Sequence, residues 1–429
     1  MRASSILSLS RASRAGEGCY FRVGHNDHVT LDRLIAEGKL QADGLVIDAR
    51  RHDRHRSLRY HADQAHIATC LDTQAMELAM PGTDSKGHAE LPWAVIGGQT
   101  PEDFSPTDVE GFIRSIVDRV RDGKYSQVMA PAHYIPEISS HWLETDAVLT
   151  SELRAQLDEA DLDFVRIVYP LAVHQRVFCD AASRAVLRRA LRAQPVDVIS
   201  LRVHPFGASS GPLALRNFIE SCRDFGQVDR PLMIERAGIA GMSAYALSAV
   251  TSIECGITTG DSFDIGRLQK RPSADAKKSF GTSPRVYVEA LGCTVEHKIA
   301  VKLMGSSRGR SHFACRVAAC CPKGYQSMLD DSERHSALAR QRQYGELSRV
   351  PPSMRADHFI HNVVTPVCDM LTRASDVHET FKQAQRRMLS VKEMLIDLQR
   401  SRPISSRQVD SARLPGRVIP LTPREPRGR

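Results

Sequence analysis

No stretch of the 429-residue chain approaches the ~20 consecutive apolar residues that a membrane-spanning helix requires, so neither a span nor a membrane partner is expected. The Gly-rich dinucleotide fingerprint is absent after every strand-like segment, which argues against an open nucleotide-binding sheet. There is no good secretory signal: Arg2, Arg11 and Arg14 stand among serines with too short an apolar segment, and a disordered start is expected. The ten cysteines form no even framework, which points to a reducing compartment and a cytoplasmic location. Nor does the body of the chain carry the positive charge that the formal +8 implies. Residues 1–15 contribute +3 and residues 401–429 contribute +5, so electrostatic attraction to nucleic acid must come from local clusters.

Against these absences stands a repeated alternation of strand and helix signals. Short apolar runs occur at Gly44–Asp48, Ile67–Asp72, Leu91–Ile96, Ser126–Pro131, Phe164–Pro170, Val196–Val203, Pro231–Arg236 and Thr251–Ile257. Helical patterns lie between several of them, at Pro106–Arg121, Ala181–Ala193, 214–220 and Met242–Val250. Eight strands alternating with crossover helices predict an α/β fold, a (β/α)8 TIM-type barrel.

Two local clusters carry chemistry. Arg50, Arg51 and Arg54, followed by Arg56 and Arg59, come directly after the Gly44–Asp48 strand, on a loop that a barrel places at its catalytic face, where they could hold phosphates or simply be solvated. Cys315, Cys320 and Cys321 fall within seven residues, whereas the other seven cysteines stand singly and read as small buried hydrophobes. Three thiolates and one imidazole suit tetrahedral Zn²⁺, with His312, His335, His358 and His361 in reach along the sequence.

The order of these segments resembles the tRNA-guanine transglycosylase superfamily, including its relatives that insert 7-deazaguanine into DNA. The resemblance implies a barrel, then a β-hairpin at Arg285–Glu289 and Lys298–Met304, then a structural zinc site of Cys315, Cys320, Cys321 and His361, with His335 the other candidate ligand. Val317 stands where the middle family cysteine is expected, and Cys321 would substitute for it. Ser252-Ile-Glu-Cys-Gly256 occupies the place of the Phe-Asp-Cys motif and puts Glu254 at the nucleophile's position. Leu71-Asp72-Thr73 occupies that of Asp-Ser-Gly-Gly-Phe, whose aspartate transfers a proton, but the glycines are missing. Ala130-Pro-Ala-His133 replaces the segment that reads guanine.

Base exchange needs a carboxylate to attack the anomeric carbon and an acid/base to serve the departing and arriving bases. Glu254 and Asp72 lead as catalytic groups, and Asp261, with Asp264 behind it, is the alternative if the chain is shifted by a few residues. For each, an ordinary cap or salt bridge is the competing reading. His133 and Gly207 join Arg50, Arg51 and Arg54 as expected substrate contacts. The resemblance thus implies exchange of guanine for a 7-deazaguanine base in DNA or tRNA. DNA is preferred because the altered base-reading strand and lengthened metal segment set this chain apart from the tRNA enzymes. The oligomeric expectation is open between a homodimer and a partner subunit.

Two rival readings remain. His133, His174 and His204 fall near strand ends, as in a metal-dependent hydrolase barrel, although the customary His-x-His is lacking and His52-x2-His55 is the nearest arrangement. A barrel that binds nucleic acid without catalysis is the other, since Glu for Asp displaces the attacking oxygen by roughly 1 Å. The expected organisation is an N-terminal extension over 1–40, the barrel over 41–284, the hairpin and zinc-binding helical subdomain over 285–399, and a disordered basic tail over 400–429.

Overall fold

The computed structural model describes residues 18–80, 86–95, 98–258, 261–269 and 284–401. The arginines of the chain's start and the basic tail beyond Ser401 lie outside the described residues. Eight parallel strands close into a barrel: β1 (Gly18–Val23), β2 (Gly44–Asp48), β3 (Ala68–Asp72), β4 (Gln127–Met129), β5 (Arg166–His174), β6 (Val198–His204), β7 (Leu232–Glu235) and β8 (Ser252–Cys255). Closure runs through Tyr20, which is in register with Gly44 on one side and Glu254 on the other.

The barrel therefore opens at Gly18, inside the stretch expected to be an extension, and of the strand expected at Leu91–Ile96 the described residues, 91–95, form none. Residues 91–95 turn instead, with Leu91 and Trp93 buried, and the Trp93 indole donates to the Thr73 carbonyl at 3.0 Å. The hydrophobicity of that run wedges the loop after β3 in place. Gly18–Val23 is buried at all six positions, but Arg22 interrupts its apolar signal.

Helices α1 (Asp27–Ala36), α2 (Arg56–Gln64), α3 (Pro106–Gly123), α4 (Trp142–Glu159), α5 (Ala181–Arg192), α6 (Pro212–Phe225) and α7 (Gly238–Ala246) follow successive strands. In α3 the sequence specifies the helix completely. Ser105 caps the Asp108 amide, Pro106 occupies the first turn, and Val109, Phe112, Ile113, Ile116, Val117 and Val120 recur at helical spacing to bury one face.

After β8 the chain builds an antiparallel hairpin from β9 (Arg285–Val288) and β10 (Cys293–Glu296). Its first half lies where expected. The second does not, because His297–Leu303 is a helix that buries Ala300 and Leu303, three residues apart. Helix α8 (Ser332–Arg349) packs against α1, with Thr30 donating to Glu333 at 2.8 Å and Arg33 paired to Asp331, and fills the eighth place of the ring. Helix α9 (Pro352–Phe359) rests on α7, α10 (Thr365–Val377) packs along α11 (Thr380–Arg400), and α11 lies against α6. Among the described residues no helix is long and apolar enough to cross a membrane.

Alternation along the strands sets what lies inside the barrel. Tyr20, Val46, Cys70, Met129, Val168, Val198 and Met233 form one buried apolar layer. Two residues further along, one pleat nearer the C-terminal ends, stand Arg22, Asp48, Asp72 and Glu235, and Arg202 follows Val198 by four. The same 2-residue repeat that fills the barrel thus delivers a layer of charge to the end where barrel active sites form.

Candidate functional site

At this mouth four carboxylates and two guanidinium groups form one network. Arg22 donates from Nε to Glu254 at 2.8 Å, from Nη2 to Glu235 at 2.9 Å, and from Nη1 to Asp72 at 2.7 Å and Asp48 at 3.1 Å. Arg202 donates to Glu235 at 2.8 Å and to Asp72 at 2.6 Å. Ser200 donates to the other Glu235 oxygen at 2.5 Å, and the Gln74 amide donates to Asp72 at 3.0 Å. Arg202, Asp72 and Glu254 are each only 1% exposed, so these ion pairs are screened little by solvent.

The charges sort the carboxyls into two kinds. Burial alone would raise Asp72, but Arg202 and Arg22 outweigh it and hold its carboxyl well below the usual carboxylate range. Burial likewise opposes ionisation of Glu235, yet the same two arginines bring it down to about 2. Glu254 goes the other way. Burial and the adjacent Glu235 overcome Arg22, and its carboxyl is pushed up to about 7. The arginines thus favour the ionised form of Asp72 and Glu235, while burial favours the protonated form of Glu254, a division that suits acid/base chemistry.

Of the expected catalytic residues, Asp72 and Glu254 meet here through Arg22. Asp261 does not join them. It accepts from Arg340 at 2.8 Å and Thr294 at 3.3 Å, and so ties the loop after β8 to the hairpin and α8. Asp264 accepts from the Gly266 amide and lies 3.4 Å from His204.

The expected substrate contacts divide similarly. Arg50 and Arg51 stand at the rim, each 3.8 Å from Asp48, while exposed Arg54 donates to His25. His133 is buried, stacked on Trp142 with ring centroids 3.7 Å apart and bonded through Nδ1 to Asp146 at 2.6 Å. It anchors the loop after β4, with its other ring nitrogen 3.3 Å from Gln99, so both nitrogens are engaged within the protein. Gly207 lies in a two-residue ladder opposite Ser262, where a Cβ would meet Ser262 at 2.4 Å, so its small size serves packing. His174 and His204 are edge to face at 5.7 Å, and His204 accepts from the Ile265 amide at 3.2 Å. Among the described residues, no metal-binding group includes either of them.

The second cluster lies outside the barrel. Cys315, Cys320, Cys321 and His335 bring their ligand atoms within 4.8 Å of one another. The Sγ atoms of Cys320 and Cys321 are 3.7 Å apart, and each is 3.4 Å from His335 Nδ1. Tetrahedral zinc with bonds of about 2.3 Å to sulfur and 2.0–2.1 Å to nitrogen has edges of roughly 3.5–3.8 Å, so the donor set fits that ion. His335 Nε2 donates to the Tyr287 carbonyl at 2.9 Å, which fixes the tautomer that leaves Nδ1 free to ligate. Both adjacent cysteines can face inward because the Val317 carbonyl accepts from the amides of Cys320 and Cys321, curling the backbone around them. His361, the expected fourth ligand, is exposed on a π-helical turn at Ile360–Val364 and takes no part.

Sequence reasoning missed Arg22, Asp48, Arg202 and Glu235 as members of the mouth. Their signal was a charged residue an even number of positions beyond an inward apolar residue near a strand's end; Glu254 shares only the broader mark of a charge within an apolar strand, since Ser252 precedes it by two.

No protein family and no curated protein matches the chain. Similar solved structures include a Penicillium canescens endo-1,4-beta-xylanase, at 10% identity over 58% of this chain and 84% of that one, with a TM-score of 0.38. A GH10 xylanase from Bispora aligns at 11% identity over 58% and 85% with a TM-score of 0.38, and an Enterococcus faecalis 3-dehydroquinate dehydratase at 13% over 58% and 93% with a TM-score of 0.34. Likeness of this degree carries no argument about activity.

Proposed function

We propose that the chain is a transglycosylase-like enzyme that exchanges guanine for a 7-deazaguanine base in nucleic acid, with DNA preferred to tRNA. The observation that carries this reading is the convergence of Asp72 and Glu254 on one guanidinium at the C-terminal mouth. These are the two positions at which the sequence resemblance puts the family's working carboxylates. Two features agree with it. The chain after β8 runs through a hairpin to a Cys3His cluster, in the order the resemblance implies. Gln74, where the resembled motif has glycine, is held at φ 59°, a left-handed conformation that glycine adopts far more easily.

We read the roles that the resemblance implies as exchanged, because two guanidinium groups donate to Asp72 and one to Glu254. Asp72 is the attacking oxygen: its bond to the anomeric carbon forms as the glycosidic C–N bond breaks and that electron pair passes to the departing guanine. Glu254 gives guanine its proton. The arriving base then loses an N–H proton to Glu254, and its nitrogen displaces Asp72. Arg50, Arg51 and Arg54 supply phosphate contacts at the rim. Cys315, Cys320, Cys321 and His335 would hold zinc, which when bound braces the helical subdomain and supplies no chemistry at the mouth.

The test is release of labelled guanine from DNA and from tRNA when a 7-deazaguanine base is supplied. Exchange should fall by on the order of 10²–10⁴-fold in Glu254→Gln and Asp72→Asn. One observation favours a second reading, a nucleic-acid-binding barrel without catalysis: Arg22 and Arg202 already occupy the carboxylates. Binding of either nucleic acid without exchange in the unmutated protein would establish that reading and overturn the first.

A further inference from the structure

Glu235 has no counterpart among the roles assigned so far, yet it sits at the centre of the mouth. It is in register with Glu254 on the adjacent strand, and the two carboxyls lie within hydrogen-bonding contact. They share one edge of a single guanidinium, since Arg22 Nε serves Glu254 and Arg22 Nη2 serves Glu235. Ser200 and Arg202 also donate to Glu235, at Oε1 and Oε2 respectively, which leaves Oε1 with room for one more donor. Among the described residues nothing donates to Glu254 Oε1, which is buried, so a negative charge spread onto it is costly.

Charge counting leads to the same place. The groups facing this pair are Arg22 from β1, Asp48 from β2, Cys70 and Asp72 from β3, Glu77 from the turn of helix after it, Arg202 from β6 and Arg236 just beyond β7. Rim residues Arg50 and Arg51 each stand 3.8 Å from Asp48. With Asp48 met at the rim by those two arginines, Asp72, Glu77, Glu235 and Glu254 face buried Arg22 and Arg202 and half-buried Arg236, and two adjacent buried carboxylates cannot both ionise cheaply.

We infer that Glu235 is a positioning residue which, with Glu254, holds one shared proton at the barrel mouth, Glu254 bearing it and Glu235 keeping it there. Glu235 touches no reacting atom in this scheme. It acts through Glu254, by placing a fixed negative charge against it and by fixing the guanidinium that both grip. The raised Glu254 carboxyl and lowered Glu235 carboxyl agree with this division. As a member of a coupled pair, Glu254 should titrate with a midpoint that belongs to both residues. The inference deepens the exchange reading by naming what keeps its acid protonated, and it is testable without substrate.

The experiment follows the carboxyl carbonyl infrared band of the full chain grown with carbon-13-labelled glutamate, which separates glutamate from aspartate, over pH 4 to 9. The unmutated protein should show a protonated glutamate that titrates at about 7 and disappears in Glu254→Gln. In Glu235→Gln the midpoint should fall by about one unit or more, whereas Glu235→Asp, which restores the charge, should recover most of it. Absence of a protonated glutamate above pH 6 in the unmutated protein overturns the proposal, whether or not any variant folds. So does a midpoint unmoved in a folded Glu235→Gln protein. Loss of the exchange reading alone would leave the band and its shift in place, so the two failures are distinguishable.

Discussion

The cysteine cluster and the barrel mouth are both buried polar centres, but they are assembled in opposite ways. The cluster draws its four ligands from residues 315–335, with the Val317 carbonyl curling the chain and Tyr287 orienting the histidine. The mouth draws its groups from β1, β2, β3, β6, β7 and β8, and its longest direct pairing, Arg22 to Glu254, spans 232 residues. A locally built centre can be held by a metal. One built from separate strands exists only when the whole barrel has closed, so its ion pairs depend on the fold rather than nucleating it.

The sharpest way to break the comparison is to remove a ligand from the local centre. Cys320→Ser and His335→Ala should each abolish stoichiometric zinc, measured by metal analysis, while His361→Ala should retain one zinc per chain. Structural zinc is worth on the order of 10 kcal/mol to a site that cannot form without it, so chelation should melt the 315–349 region first. Hydrogen exchange would show protection lost in α8 before it is lost in the barrel strands. Equal loss everywhere would mean that the two centres are one cooperative unit.

How far each centre was legible in the sequence follows from the same contrast. Cys315, Cys320 and Cys321 announce themselves by proximity, and of the two candidate histidines the structure brings in His335, which fits the turn that the chain makes, and not His361, which matched the late His-Asn of the resembled family. Most strands could be read because they are short apolar runs between helical patterns. Gly18–Val23 could not, because its inward Arg22 breaks the run and its purpose lies in partners 26, 50, 213 and 232 residues away. Leu91 and Trp93 gave the opposite error, since burial in a loop has the same composition as burial in a strand. Glu254 was visible as a charge inside an apolar strand. Arg202 in Ser200-Leu-Arg-Val and Glu235 in Leu232-Met-Ile-Glu gave the same signal, but which strand-end charges meet is decided by barrel register, and one sequence does not state it.

At the mouth, the largest effect should come from Arg202→Met. The substitution leaves Asp72 and Glu235 without one of their two cations in a site 1% exposed, and breaking a buried pair from one side typically costs about 3–5 kcal/mol. Urea unfolding measures it. Adding Glu235→Gln should recover part of the loss by removing the stranded charge, a coupling that two independent substitutions would not show.

A smaller and pH-dependent effect sharpens the picture. The folded Glu254 carboxyl stands at about 7 against an ordinary 4.5, so folding favours its protonated form, and the stability this supplies is complete below about 4.5 and lost as pH rises through 7. Glu235 and Asp72 have the opposite sign: their contribution is complete above their ordinary values and is lost as pH falls toward the folded ones. Glu254→Gln should therefore be more stable than the unmutated protein at pH 8, by on the order of 1–3 kcal/mol, and the advantage should shrink toward pH 5. Thermal melts at the two pH values decide it, and a constant difference would mean that Glu254 does not change its proton between them.

The least costly substitutions to the fold lie at the rim of the same mouth, where arginines meet water instead of buried carboxylates. Arg54 is exposed and donates to exposed His25, so Arg54→Ala should change stability by less than about 0.5 kcal/mol. If the rim grips a backbone phosphate, the same substitution should weaken DNA and RNA binding a few-fold, independently of sequence, and reduce the salt dependence of log K by about one unit. Fluorescence anisotropy between 50 and 200 mM salt would measure both. The arginine at position 22 and the arginine at position 54 would then differ as the two centres of this molecule do, one holding the fold's own charges and the other left free for charges that arrive from outside.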